Sequence, residues 1–153
     1  PKLAEVIAGK RFNDPGVSEP VPVIELAALK QQIADLSVSD VWTRWAKWFF
    51  ADPETRTISP FSDVTVPEYV QCRIRDNTLN DLREAVQLAP ANALALARLA
   101  RKVLEQNPQD HPRKDGEADF LSRQAVTLAP DDAEVLETRA EIEKHLQSLQ
   151  KPN

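Results

Sequence analysis

Residues 85–93 read AVQLAPANA, and forty positions later residues 125–133 read AVTLAPDDA, with Ala, Val, Leu, Ala, Pro and a closing Ala in register. No other feature narrows the fold as far. In both copies a helix-forming run ends on Leu-Ala-Pro. Proline stops a helix because it lacks an N–H and its ring collides with the preceding turn, at about 3 kcal/mol in a helix interior. Asn92 and Asp132 follow two residues after Pro90 and Pro130, where a side-chain oxygen can accept the free N–H groups of a new helix. Each copy is therefore predicted to be a corner between two helices. Small residues recur at matching places, Ala85 with Ala125, Ala93 with Ala133 and Ala100 with Ala140, and helices approach closely only where side chains are small.

The rest of the chain reads in the same idiom, as about eight helical segments and no convincing strand set. Leu3, Val6 and Ile7 make a short first turn stopped by Gly9, and Asn13-Asp14-Pro15-Gly16 is turn chemistry. Val23, Leu26, Leu29, Ile33 and Leu36 line one face of a helix that Pro22 can begin. A second helix follows Ser39-Asp40 and runs to about Ala51, before Pro53. Residues 52–66 have no clear period and are predicted to loop across an internal boundary. Thr65-Val66-Pro67-Glu68 has the pattern of a capping box, opening a helix over 67–75, and another runs from after Asn77 to about 89.

The corner pattern resembles the tetratricopeptide repeat. The resemblance rests on Ala118, Ala125, Leu128, Pro130, Asp132, Ala133, Leu136 and Ala140, with Ala85, Leu88, Pro90, Asn92, Ala93, Leu96, Leu99 and Ala100 repeating it, and it covers residues 78–150. That family's usual period is about 34 residues, so the longer spacing is assigned to a polar loop at Asn107–Gly116 inside one hairpin. The resemblance implies an all-α fold of stacked antiparallel helix hairpins, a tetratricopeptide-like α-solenoid. Fewer than three repeats rarely bury a solenoid core, so the helices of 22–75 are expected to complete it as degenerate hairpins. The organisation expected is a single helical domain over 1–153, with N-terminal helices and a crossover loop in 1–65 and repeat helices in 66–150. The segment WAKWFFADPETRTISPFSDVTVPEYVQ is also similar to regions of long multidomain bacterial proteins, beside tetratricopeptide-like helices and β-propeller or kinase modules. That similarity implies a piece of a larger signalling or scaffolding chain, and the absence of methionine fits it.

Composition excludes several roles. A net charge of −5 with no basic run offers no Lys/Arg stripe to displace counterions from phosphates, so no nucleic acid partner is expected. No apolar run approaches the roughly 18 residues of a membrane span, and no membrane association is expected. A lone cysteine, Cys72, excludes an internal disulfide and suggests a reducing, cytoplasmic location. The three glycines, at 9, 16 and 116, form no phosphate-cradling loop. The two histidines, His111 and His145, lie in no metal-binding spacing. Cys72 with His111 as a nucleophilic pair, and Asp110, His111 and Asp115 around a divalent ion, are the remaining chemical options; a half-buried thiol and a solvated loop explain the same residues. The expectation is no enzyme activity, no cofactor and no metal.

Trp42, Trp45 and Trp48, with Val41 and Phe49, share one helix face, while Thr43, Arg44 and Lys47 take the other side. Core packing is their expected role, with a ligand-stacking platform as the alternative; Phe50 lies off the stripe and is expected to be exposed. In the resembled family the first helix of each hairpin lines a concave groove. The matching residues are Leu94, Ala97, Arg98, Arg101, Leu104 and Glu105, then Glu134, Glu137, Thr138, Glu141 and His145. An acidic stripe opposite Arg98 and Arg101 would suit a basic or mixed-charge segment, or the two signs pair internally, Arg101 with Glu141. Val135, Ile142, Leu146 and Leu149 form a second apolar stripe, away from the side of Leu136 and Ala140. The N-terminal helices cover it or it joins a copy of itself in a homo-oligomer. The function these readings imply is a scaffold that binds a protein or peptide partner in the groove. The alternatives are a homo-oligomerisation module or the regulatory C-terminal domain of a larger bacterial signalling enzyme.

Overall fold

A computed structural model describes residues 4–5, 8–37, 40–106 and 111–149, with side chains at 111–113 left aside. Leu3, Val6, Ile7, Ser39 and Asp110 lie outside the described residues. The chain divides into two compact units, Pro1–Asp63 and Val64–Asn153.

The first unit holds a short strand pair. Strands β1 (Lys10–Phe12) and β2 (Ser18–Pro20) pair antiparallel, with Arg11 opposite Glu19. Asn13 sets the turn between them: its carbonyl accepts from Gly16 at 2.8 Å and its Oδ1 from the Val17 N–H at 2.8 Å. Gly16 takes φ +79°, a left-handed value that a Cβ would penalise. Strands this short carry too few residues for an alternating pattern to register, which is why the sequence betrayed only the turn. Across the hairpin Arg11 Nε bonds Glu19 at 2.6 Å, and its Nη1 reaches Glu25 on the following helix at 2.9 Å.

Helix α1 spans Val23–Ala34, with Pro22 at its N-cap and not inside its first turn. Helix α2 spans Val41–Phe50 and is capped by Asp40, whose carboxylate accepts from the Trp42 and Thr43 N–H groups at 2.9 and 3.1 Å. Hydrogen bonds from Thr43 hold the Asp40 carboxyl below its ordinary range. The two helices pack on each other. Arg56 closes the far end of α2: its guanidinium lies 3.9 Å from the Trp48 ring centre and donates to the Trp48 carbonyl at 3.2 Å, one of the carbonyls a helix end leaves without an internal partner. Trp48 Nε1 donates to the Thr57 carbonyl at 2.6 Å, pinning the loop that follows.

The expectation of a buried tryptophan stripe is overturned here. Among the described residues of this unit Ile33 and Ala46 are the buried apolar ones, while Val41, Trp42, Trp45 and Phe49 are exposed and Trp48 and Phe50 are half-buried. Phe50, expected at the surface, instead adjoins Ile33 and Ala34 in a recess between α1 and α2. Helical spacing identifies which side chains share a face, but not which face a neighbouring element meets. The same holds on α1, where of the expected apolar face Ile33 is buried, Leu29 is half-buried, and Val23, Leu26 and Leu36 are exposed.

The second unit is built from α3 (Val66–Asp76), α4 (Leu79–Leu88), α5 (Ala93–Glu105), α6 (His111–Leu128) and α7 (Ala133–Leu149). The capping box opens α3 as its sequence indicates: the Glu68 N–H donates to Thr65 Oγ1, and the Thr65 N–H donates to Glu68 Oε2 at 2.8 Å. Asn77 ends α3 in the left-handed region at φ 55°, and Thr78 caps α4. The two corners then repeat bond for bond. Ala89 N–H donates to Ala85 and Ala129 N–H to Ala125, both at 2.9 Å; Asn92 N–H donates to Ala89 and Asp132 N–H to Ala129. Asn92 Oδ1 accepts from the Ala95 N–H and Asp132 Oδ1 from the Val135 N–H, both at 3.0 Å. Pro90 and Pro130 lie between helices, as the cost of a mid-helix proline requires.

Each of α3 to α7 packs on the next; α3 also adjoins α5, and α5 adjoins α7. The core is a single cluster in which Leu82, Leu96, Leu99, Ala100, Val103, Ala118, Leu121, Ala125, Val135 and Ile142 are buried. The polar loop placed at 107–116 is shorter than expected, because α6 already begins at His111. Pro112 stands in its first turn, where a missing N–H is tolerated, and Gly116 is absorbed into the helix.

Candidate functional site

The side on which α3, α5 and α7 adjoin carries the groove residues, and the structure sorts them. Ala97 and Thr138 are fully buried and Leu104 packs against the core, so these three line no groove. Arg98, half-buried on α5, makes a two-pronged bond to Glu134 of α7, Nε to Oε1 at 2.7 Å and Nη2 to Oε2 at 3.1 Å. Its Nη1 donates to the Ile74 carbonyl of α3 at 3.0 Å. One guanidinium thus ties three helices, the fork geometry that makes arginine and not lysine suited to the task. The hydrogen bond from Arg98 holds the Glu134 carboxyl below its ordinary range against the opposing effect of burial, and the same bond raises Arg98.

One turn on, Arg101 Nε bonds Glu141 at 2.9 Å and its Nη2 donates to the buried Thr138 hydroxyl at 3.0 Å. The signs therefore pair internally, Arg101 with Glu141, as the second of the two sequence readings has it. Glu105 pairs with Lys102 on its own helix at 2.6 Å. Glu137 is exposed. Leu94 remains as an apolar contact, and it joins Gln71, Ile74 and Arg75 of α3 and Arg98 in an open recess of about 270 Å³. Gln71 and Arg75 were not foreseen. The forty-residue shift that aligns α5 with α7 takes Leu94 and Arg98 back to Glu54 and Ile58, in the loop of the first unit, so the repeat gives α3 no register. Only the contact between α3 and α5 brings the two side chains to the recess.

The recess combines apolar and polar groups. Ile74 and Leu94 supply its apolar floor and wall, Gln71 a paired amide donor and acceptor, and Arg75 an exposed guanidinium whose Nη2 donates to Cys72 Sγ at 3.2 Å. Cys72 is half-buried and free of any disulfide. Of the other chemical options, Asp115 is buried and bonds His145 Nε2 at 3.1 Å, joining α6 to α7. No group of three metal-ligating side chains occurs among the described residues.

The apolar stripe on α7 runs the other way from expectation. Val135 and Ile142 are buried in the unit's own core and Leu146 packs against it, leaving only Leu149 exposed, so this stripe is not a surface for a second copy. The opposite side, Leu136 and Ala140, is exposed. By the forty-residue shift these correspond to Leu96 and Ala100 of α5, which are buried. The neighbours that α5 has and α7 lacks are those that follow it in the chain, α6 above all. Where α5 carries Ala97 and Val103, α7 carries Glu137 and Glu143, the polar replacement that a helix needs when that side meets water.

No family model matches the chain, and neither a curated protein nor a solved structure matches it. No described helix is long and apolar enough to cross a membrane.

Proposed function

We propose that the unit Val64–Asn153 is a helical-repeat interaction module of tetratricopeptide type, without catalysis of its own, that takes a peptide or protein segment along the side where α3, α5 and α7 adjoin. The observation that carries the reading is the pair of corners at Pro90 and Pro130, alike in every capping and turn hydrogen bond. Two equal corners set successive helix pairs in the same relation, and pairs repeated in one direction generate an extended groove. The recess of Gln71, Ile74, Arg75, Leu94 and Arg98 then supplies an apolar contact flanked by one amide and one guanidinium, the combination that fixes an extended segment by its backbone and one side chain.

Arg98 and Arg101 act in this reading as struts, and Gln71, Arg75 and Leu94 make the contact. The test is a pull-down with the whole chain as bait, followed by titration of the captured protein against Arg75→Glu and Leu94→Asp variants. Both variants should lose affinity, and Arg75→Glu should keep the parent melting temperature because its side chain is exposed. Equal binding by parent and both variants removes the groove as the working surface.

A further inference from the structure

The exposed aromatic face of α2 calls for a partner, and we propose that the partner is a second copy of this chain, joined through α2 about a twofold axis. Val41, Trp42, Trp45 and Phe49 follow helical spacing on one face, with exposures of 56%, 78%, 45% and 39%, and Phe61 (56%) joins them from the loop after α2. The patch is continuous: the Trp45 ring stands edge-on to Phe61 at 6.4 Å and to Trp48 at 5.6 Å, which leaves Trp42 as the protruding ring. Taking about 150–250 Å² for an aromatic side chain, the exposed fractions of the four rings come to roughly 450 Å², to which Val41 adds. A standard interface buries about 800 Å² per partner, and in homodimers about 65% of it is apolar. The face therefore supplies most of the apolar half of such a contact, and it is as large as the largest apolar patch on a typical monomer, roughly 300–600 Å².

Charge decides between a second copy and a charged partner. In a twofold contact each patch meets the identical patch, so a charge at its centre faces its own sign. The centre of this face, around Trp42 and Trp45, carries none. The helix has no acidic residue; of its two cations, Arg44 sits at the patch edge, over the Phe61 ring at 5.5 Å from its centre, and Lys47 donates to the Leu36 carbonyl at 2.6 Å. An acidic lipid surface or an acidic peptide needs free cations around the aromatics, and residues 1–63 carry seven Lys/Arg against nine Asp/Glu.

The chain's three tryptophans all lie on α2, so their emission reads this face directly. Sedimentation equilibrium of the full chain should give a monomer–dimer equilibrium, and tryptophan emission should move to shorter wavelength as the dimer forms. Trp42→Glu should weaken association about thirty-fold or more, the scale of a central aromatic contact, with unchanged far-UV circular dichroism because Trp42 packs little within its own chain. Val41→Glu, at the first turn of α2 where an acidic side chain suits the helix dipole, is a second variant with the same expected outcome. Three results overturn the proposal. They are a monomer at every concentration, a dimer undisturbed by both variants, and a monomer whose emission shifts only on adding phosphatidylglycerol vesicles, which would assign the face to a lipid surface.

Discussion

Ala100 and Ala140 hold the same place in the two copies of the repeat, but the first is fully buried and the second exposed. Replacing each by leucine separates packing from helix propensity, since the two residues differ little as helix formers. At Ala100 three added carbon atoms must enter the core beside the buried Leu96, Leu99 and Val103. Overpacking of this kind costs about 1–3 kcal/mol. For a unit of this size a kilocalorie shifts the melting temperature by roughly 4–8 °C, so Ala100→Leu should lower it by about 10 °C. At Ala140 the added atoms meet solvent, and the change should stay within about 0.5 kcal/mol. Thermal melting followed by far-UV circular dichroism, which is dominated by these helices, compares the two directly. If Ala140→Leu falls as far as Ala100→Leu, the outer side of α7 is packed and the description of that helix is wrong. If Ala100→Leu melts with the parent, the helices do not approach closely at α5.

Further outcomes follow from the corners and the struts. Asn92→Ala and Asp132→Ala each remove one cap, and each should cost about 1 kcal/mol in urea unfolding, with the double variant additive because the two corners share no partner. Arg98→Ala removes a two-pronged ion pair and the bond to the Ile74 carbonyl; a loss of about 1 kcal/mol is expected, and an unchanged midpoint would assign the three-helix strut no weight. Glu134 is held low by Arg98 and Asp119 chiefly by Arg139. Carboxyls lower in the folded than in the unfolded state stabilise fully above the unfolded value, near 4, and lose that contribution as pH falls through the folded value. Stability should therefore drop in acid, and Glu134→Gln should make the acid limb of melting temperature against pH shallower; an identical limb would rule the pair out as a source of it. Trp48→Phe, which deletes the indole N–H bonded to Thr57, should speed proteolysis of the 51–63 loop while leaving α2 helical.

How much was legible before coordinates depended on how local the governing physics is. Thr65 with Glu68, Asn92 and Asp132 each satisfy N–H groups within three residues of themselves, and a proline blocks its helix whatever lies around it. Such features can be read from a nine-residue window. The strands at 10–12 and 18–20 were missed because each offers only three residues, and the start of α6 at His111 was missed because His-Pro in a polar run reads as loop when Pro112 is in fact accommodated in a first turn. In the candidate site the repeat register found Arg98, Arg101, Glu134 and Glu141 and the option that Arg101 pairs with Glu141, but not the fork from Arg98 to Glu134, nor that Gln71 and Arg75 of α3 line a recess with Arg98.

The sequence by itself determined where the helices of the second unit begin and end, the start of α6 excepted, because capping, proline geometry and small-residue spacing act between near neighbours along the chain. Which face of each helix is inside was decided only by tertiary structure. Periodicity places Val135 and Ile142 on one side of α7 and Leu136 and Ala140 on the other, and it gathers Val41, Trp42, Trp45 and Phe49 on one side of α2. In either helix, burial followed from which neighbours came to rest against it, and a face is hydrophobic whether or not something covers it.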